Sequence, residues 1–171
     1  MNLIRSTIIA LSTLVFISSN TLAKCNFGFI LGDDIKKVEK DFGTAFSLSE
    51  ISSIIEVPVE EICPNENLGF SFIEYHFLNN ELAAFQIIVE NDADNTESEK
   101  LLLYNYVKKN YGAITDKRAE YWRGFKSWNK NGEVIVYKKM NFLRILEEEL
   151  YISNNKYNNE IIAQLADEED F

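Results

Sequence analysis

Residues 38–43 read VEKDFG, and residues 107–112 read VKKNYG, so the chain carries the pattern V-[EK]-K-[DN]-[FY]-G twice. In each copy the valine and the aromatic residue fall on the apolar face of an amphipathic helix. The lysines favour the C-terminal end of a helix, and the glycine favours the left-handed backbone that follows one. We therefore predict two helices that end at Gly43 and Gly112, and a duplicated unit built on them.

The residues before each pattern predict where the two helices begin. Asp33 or Asp34 provides an N-cap for the first helix, and residues 96–99, TESE, have the form of a capping box for the second. Amphipathic helices of this kind are common in unrelated proteins. A chance similarity between the two copies is therefore the alternative to duplication.

Strand signals follow each predicted helix. Segments rich in β-forming residues are separated by turn residues, and Asn131-Gly132 is a strong signal for a hairpin. A slip in the alternation at Phe72-Ile73 predicts a bulge, and residues 47–59 are ambiguous between a short helix and an extended segment. The predicted strands cover residues 70–77, 82–90, 121–128, 133–140 and 143–152.

These elements predict an α+β fold of two helix-then-β-hairpin units, with antiparallel sheet, helices on one face and a C-terminal helix. No stretch rich in proline, glycine or serine divides the chain. We expect one domain over residues 24–171. Within it we expect a tandem repeat, 24–94 and 95–153, followed by the C-terminal helix at 154–171.

The first helix region has a spacing of glycine and valine that occurs in known families. Gly32, Val38 and Gly43 fit the pattern G-x(5)-V-x(4)-G. This resembles the helix-opening motif of two groups of small exported bacterial proteins, the SmpA-type outer-membrane assembly lipoproteins and the β-lactamase inhibitory proteins. The inhibitory proteins are tandem α/β repeats of about this size, so the resemblance implies a repeated α+β fold and a protein-binding role. Leu101 stands where the second copy would need the first glycine, and no binding residue is transferred.

Residues 1–23 have the features of a cleaved signal peptide. Arg5 supplies a basic start, residues 8–17 form a mainly apolar run, and small residues surround the cleavage point after Ala23. A membrane anchor is the alternative, but the apolar run is shorter than the ~20 residues needed to span a bilayer. Lys24 stands before Cys25, where a lipoprotein signal needs a small residue. We expect a periplasmic or secreted chain that is not inserted in a membrane after cleavage.

Export determines how the two cysteines are interpreted. Cys25 and Cys63 would enter an oxidising compartment, where paired cysteines usually form a disulfide. Neither belongs to a C-x-x-C pair or has a histidine nearby in sequence. We predict a structural disulfide. Two free thiols, or a nucleophilic cysteine, are the alternatives.

The composition offers few groups for catalysis or for nucleic-acid binding. A net charge of −10 opposes binding to a phosphate backbone. His76 is the only histidine and lies inside a predicted strand, so it is unsuited to a nucleophile–base pair, and zinc would need more ligands than the chain supplies. We predict no catalytic residues, no metal and no cofactor, and therefore no enzyme. A hydrolase that uses paired carboxylates is the alternative.

Charge is unevenly distributed along the chain. Between residues 108 and 144 cations outnumber acids ten to three, whereas the flanking segments are acidic. The basic segment contains an aromatic and cationic cluster of the composition found at binding hot spots. The candidate partner-binding residues are Trp122, Arg123, Phe125, Lys126 and Trp128. A half-buried strand shows the same alternation, and the basic residues would equally pair with the chain's own acids.

Together these features favour an exported, non-catalytic protein-binding protein, in the manner of an inhibitor or an immunity protein. The excess of negative charge suits a basic partner, such as a cell-wall enzyme or a toxin. An envelope accessory or scaffold protein is the alternative, suggested by the motif that resembles the assembly lipoproteins. The sequence does not specify an oligomeric state.

Overall fold

Short helices alternate with antiparallel strands along the chain. The structure, a computed structural model, describes residues 25–92, 94–142 and 145–161. Its helices include α1 (Ile35–Phe42), α2 (Val59–Ile62) and α3 (Leu102–Tyr111), with 3-10 turns at Glu99–Leu101 and Ala119–Tyr121. Its strands are β1 (Phe46–Ser47), β2 (Ser52–Pro58), β3 (Ser71–Leu78), β4 (Glu81–Asn91), β5 (Gly124–Lys130), β6 (Glu133–Phe142) and β7 (Ile145–Asn154).

Gly43 and Gly112 end α1 and α3 in the same backbone conformation. Their φ values are 95° and 111°, and their ψ values are −177° and −172°. The positive φ agrees with the prediction, but ψ is extended rather than left-handed helical, a combination that is essentially restricted to glycine. The N–H of each glycine donates to the carbonyl four residues earlier. Both helices therefore end in the same way.

Polar side chains begin the two helices where the sequence predicts. The Asp34 carboxylate accepts a hydrogen bond from the backbone N–H of Lys36 at 2.9 Å. In the predicted capping box, the Thr96 N–H donates to the Glu99 carboxylate at 2.6 Å, and the Glu99 N–H donates to the Thr96 hydroxyl at 3.3 Å. This box opens the 3-10 turn that leads into α3.

The seven strands form one antiparallel sheet in the order β1-β2-β3-β4-β7-β6-β5. Each of the helices α1 and α3 precedes a three-stranded meander, β2-β3-β4 and β5-β6-β7, where we predicted a hairpin. The last strands of the two meanders, β4 and β7, pair at the centre of the sheet. The two three-stranded sets are therefore arranged symmetrically about the centre, and β1 adds one short strand at the edge beside β2.

Two-residue turns join β3 to β4 and β5 to β6. Positive φ values at Asn79, Asn80, Asn131 and Gly132 match the type I′ turns that suit hairpins. The bulge lies between His76 and Phe77 rather than at Phe72-Ile73, so that prediction is wrong. The reason lies in the opposite strand, where Ala83 has no partner in the register and packs against Leu78 instead.

Helices α1 and α3 cover one side of the sheet. Val38 of α1 and both Leu103 and Val107 of α3 are fully buried. They belong to one hydrophobic cluster that also contains strand residues from both meanders, including Tyr75 and Leu150. Apolar burial on this side therefore joins the two halves of the sheet.

Cys25 and Cys63 form the predicted disulfide, with their Cα atoms 5.1 Å apart. The bond joins the segment before α1 to the residue that ends α2. Next to it the ring of Phe27 stacks on Phe85 with centroids 4.5 Å apart, and the Tyr75 hydroxyl donates to the Phe27 carbonyl at 2.9 Å. These contacts hold the N-terminal segment against the core side of the sheet.

Residues 155–161, after β7, are helical. The Asn154 side-chain oxygen accepts a hydrogen bond from the N–H of Tyr157 at 3.1 Å, as in an N-cap. Tyr157 then packs against Leu78 and Ala83 near the β3–β4 turn. This helical segment falls within residues 154–171, where the C-terminal helix was predicted.

Two of our predictions fall on residues that the structure does not describe. The leader, residues 1–23, and the last part of the predicted C-terminal helix, residues 162–171, lie outside the described residues. Within the described ranges, each helix is too short or too polar to cross a membrane.

Candidate interaction surface

The strands present a second face of the sheet, opposite α1 and α3. In β3, Ile73 and Tyr75 are buried on the core side, whereas Phe72, Glu74 and His76 alternate with them and are half-buried. Directly paired residues share a face, so the register extends this alternation over β2 to β7. We call this second side the open face. Among the described residues, the segment 155–161 is the helix that packs on it, at the end near the β3–β4 turn.

Apolar and acidic side chains share the open face. Phe125 and Met140 are 65% and 36% exposed there, and Phe72, Ile88 and Val136 are further apolar positions on it. The register places five carboxylates on this face, those of Glu56, Glu74, Glu90, Glu147 and Glu149. It is therefore a mixed surface in which apolar area lies beside negative charge.

Lys138 forms ion pairs with two acids on the β6–β7 side of the open face. Its ammonium donates to Glu147 at 2.6 Å and to Glu149 at 2.8 Å. Burial opposes the charge of Lys138, but these two hydrogen bonds outweigh it and raise the pKa of the lysine. Burial also raises the pKa of Glu149, whereas the hydrogen bonds with Glu149 and Lys138 lower the pKa of Glu147. Lys138 thus offsets part of the negative charge on this side of the face.

Carboxylates on β2, β3 and β4 surround a cavity of about 260 Å³ in the other half of the open face. We call it the acidic cleft, and its lining residues are Glu56, Phe70, Phe72, Glu74, Ile88 and Glu90. Glu56 pairs directly with Glu74 in the β2–β3 register. The carboxylates of Glu56 and Glu90 have no hydrogen bond or ion pair with another described residue, so their charge is uncompensated.

A second cavity, of about 440 Å³, lies beside the segment 155–161. Its apolar lining includes Leu78, Ala83 and Ile161, and Tyr151 and His76 contribute polar groups. The Nε2 of His76 lies 2.9 Å from the Glu74 carboxylate. The histidine is therefore a half-buried residue of a strand, as the sequence predicted, and the structure adds its acidic neighbour.

The five predicted partner-binding residues are divided between the two sides of β5. Phe125 lies on the open face, paired with Lys138. Trp122 and Trp128 pack at the edge of the core, and Lys126 pairs with the buried Tyr137 on the core side. Arg123 donates to the backbone carbonyls of Glu120 and Trp122 and to the Asn141 side chain, at 2.8 to 2.9 Å. The structure therefore does not bring the five residues together in one patch.

The rings and the cations of this basic segment have contacts within the chain. Trp122 stacks on Tyr137 with centroids 5.6 Å apart, and Trp128 lies 6.2 Å from the ring of Tyr111. Lys109 forms an ion pair with Glu66 at 2.9 Å. Much of the basic character that the sequence shows between residues 108 and 144 is therefore used inside the fold.

A buried polar cluster on the core side of β6 and β7 was not predicted. The Tyr137 hydroxyl donates to the Glu148 carboxylate, the Asn91 amide donates to it at 3.3 Å, and the Lys139 ammonium lies 3.9 Å away. Tyr137, Lys139 and Glu148 are completely buried. Burial raises the pKa of Glu148 and lowers that of Lys139. Asn91 belongs to the first meander, so the cluster links the two halves of the sheet.

The acidic cleft was also not predicted, although the sequence contains one signal for it. Glu74 lies between Phe72 and His76 in a period-two strand, and Glu90 follows Ile88 at the same spacing. This alternation places each glutamate on the less buried face of its strand. What the sequence does not contain is the pairing that brings three such strands side by side.

Fold and surface together define a class: an α+β protein whose single antiparallel sheet carries helices on one side and an apolar, acidic face on the other. Within the described residues, no three His, Cys, Asp or Glu side chains are grouped so that they could hold a metal ion. No family model matches the sequence, and no curated protein or solved structure shows significant similarity to it.

Proposed function

We propose that the chain is an exported, non-catalytic protein-binding protein that covers a basic partner with its open face. The observation that carries the proposal is the composition of that face, where exposed apolar side chains lie beside uncompensated carboxylates. Apolar area supplies the hydrophobic part of an interface, and unpaired acids favour encounter with a positively charged surface. A disulfide and the predicted leader fit a protein that works outside the cytoplasm.

The role that follows is that of an inhibitor or an immunity protein which masks a basic cell-wall enzyme or a toxin. A partner held against a sheet face loses access to its own substrate over the buried area. Of the predicted partner-binding residues, Phe125 lies on the proposed surface. Trp122, Arg123, Lys126 and Trp128 stay a prediction that awaits a direct test.

The finer organisation belongs to the same proposal. We infer that residues 24–94 and 95–153 are copies of one unit, because each contains a helix with the same glycine ending and a three-stranded meander. We also infer that the helical segment 155–161 continues through the C-terminal helix predicted at 154–171. Secondary chemical shifts measured by NMR over the last residues test the second inference, because random-coil values there contradict it.

The functional proposal is tested by capture of exported proteins on the immobilised mature chain at low salt. The open-face variant replaces Phe125 and Met140 by serine. The matched control replaces Ile30 and Tyr121, which are 71% and 73% exposed and lie outside the strands of the sheet. We expect one specific basic partner with the wild type and the control, and its loss with the open-face variant. Higher salt should weaken capture.

Two results contradict the proposal: no specific partner at low salt, or equal loss of the partner with the control variant. Once the partner is purified, its own activity with and without the mature chain shows whether binding masks it. Unchanged partner activity at saturating chain excludes the inhibitor role.

A further inference from the structure

The acidic cleft contains an arrangement of charge that the isolated chain leaves uncompensated. Glu56 and Glu74 are direct partners across β2 and β3, and like charges in directly opposed sheet positions destabilise the pair. Glu90 completes the group from β4. A cation placed between these carboxylates relieves their repulsion. Because the unbound protein already carries this repulsion, its relief contributes favourably to the free energy of cation binding.

Phe70 provides a second, independent feature of the cleft. It is 84% exposed, and its ring meets the ring of Phe72 edge to face with centroids 5.0 Å apart. An exposed aromatic ring beside carboxylates is the surface on which a guanidinium stacks, because its π face is negative. Ile88 adds an apolar wall for the methylene stem of a long cationic side chain.

The β6–β7 side of the same face shows what satisfies such acids. There Lys138 lies between Glu147 and Glu149 with short hydrogen bonds to both. Among the described residues, no lysine or arginine forms an ion pair with these three acids. Glu74 has the imidazole of His76 at 2.9 Å, whereas the Glu56 and Glu90 carboxylates have no such neighbour. The cleft therefore lacks the cation that its neighbouring acids on the sheet already have.

We propose that the acidic cleft receives an arginine side chain of the partner protein, an inference that rests on the proposed function. The planar guanidinium stacks on Phe70 while its N–H groups donate to carboxylates of the cleft. Arginine suits the cleft better than a metal ion, because the described residues contain no group of carboxylates that could hold one. It also suits the cleft better than lysine, because a compact ammonium cannot stack on an aromatic ring and form bidentate hydrogen bonds at the same time.

The test is an NMR titration of the ¹⁵N-labelled exported chain with a tri-arginine amide peptide, and with a tri-citrulline peptide as the neutral isostere. We expect shift changes concentrated on the amides of residues 56, 70–74 and 88–90. Binding should weaken about fivefold in the double variant Glu56→Gln and Glu90→Gln, the loss expected for two partly exposed charged contacts. The matched control is Glu60→Gln with Glu61→Gln on α2, which removes the same charge from another surface.

Three results overturn the proposal: shift changes spread over all acidic surfaces, equal binding of the citrulline peptide, or an equal loss in the α2 control. The two proposals fail in distinguishable ways. If capture of the partner requires Phe125 and Met140 but not Glu56 and Glu90, the arginine site is contradicted and the binding function is supported. If the peptide binds in the cleft but no partner is captured, the protein-binding function is contradicted and the cleft is supported as an arginine site.

Discussion

Tyr137, Lys139 and Glu148 place polar and ionisable groups in the core with no exposure to solvent. The Lys139 ammonium also donates to the backbone carbonyls of Lys100 and Ala119, at 3.3 and 3.4 Å. Buried charges are expensive unless they are paired and hydrogen-bonded, and here every group of the cluster has a partner. The cluster therefore fixes how β6 and β7 pack against the 3-10 turns at Glu99–Leu101 and Ala119–Tyr121 rather than adding much net stability.

Replacement of Lys139 by methionine should destabilise the protein by about 3 kcal/mol, because it leaves Glu148 buried without its cation. The double variant with Glu148→Gln should lose clearly less than the sum of the two single variants, because the charge that needed compensation is gone. Urea unfolding of the four proteins measures this coupling. Lys37→Met, which removes an exposed ion pair with Asp33, is the control and should unfold close to the wild type. Additive single losses would show that the two side chains do not interact.

The pH dependence of stability should carry the signature of Glu148. Burial raises its pKa above the usual 4.5, although the hydrogen bond from Tyr137 and the charges of Lys139 and Arg123 oppose the shift. A carboxyl with a raised folded-state pKa binds its proton more tightly when folded. Its contribution is therefore present below about pH 4.5 and is lost as pH rises toward the folded pKa. We expect the unfolding free energy of wild type minus Glu148→Gln to fall over this window in urea titrations at stepped pH, and a rise would contradict the assignment.

At the level of elements, local signals predicted the helix ends and the turns correctly. Gly43 and Gly112 end helices, and Asn131-Gly132 closes a hairpin, because each depends on backbone preferences within a few residues. The central pairing of β4 with β7 was not predictable in this way. The β4–β7 pairing joins residues far apart in sequence, and no local pattern specifies which two strands will lie side by side.

The same limit explains what the sequence missed at the candidate surface. Residues 147–149 read EEE, which alone indicates a solvated run. In a strand of period two, Glu148 shares a face with Leu146 and Leu150 and is buried with them, while its two neighbours lie on the open face. The acidic cleft similarly depends on the β2–β3–β4 register, which sets Glu56 beside Glu74. Local alternation determines the side of the sheet on which each glutamate lies, and long-range strand pairing determines which residues lie beside it.

Gly43→Ala should destabilise the protein by about 1–3 kcal/mol through backbone strain at a φ of 95° combined with an extended ψ. An added Cβ meets no atom within 4 Å there, so steric contact does not contribute. Lys36→Ala at an exposed position of α1 is the control and should change stability by less than about 0.5 kcal/mol. Thermal and urea unfolding measure both variants. A loss at Gly43 no larger than the control would mean that the helix ending relaxes to another conformation.

At the scale of the whole molecule, the disulfide is the covalent tie between the N-terminal segment and the sheet. Cys25 and Cys63 are separated by 38 residues, and closure of such a loop stabilises a fold by about 4 kcal/mol in the chain-entropy model. We expect the double variant Cys25→Ala and Cys63→Ala to lose that amount in urea unfolding. Reduced wild-type protein should behave like the variant. Equal stability of the oxidised and reduced wild type would contradict this role.

The two halves should unfold together, because neither half alone can provide hydrogen-bond partners for both edges of its own central strand. Eight residue pairs join β4 to β7, from Ala84 with Ser153 to Asn91 with Leu146, and a separated half would expose that strand as an unpaired edge. Both tryptophans, Trp122 and Trp128, lie in the second half, whereas the disulfide lies in the first. Removing the disulfide should therefore shift the tryptophan fluorescence transition as far as the far-UV circular dichroism transition, because cooperative unfolding transmits the loss across the sheet. A fluorescence transition that stays at the wild-type midpoint while the circular dichroism shifts would show instead that the second half is an independent folding unit.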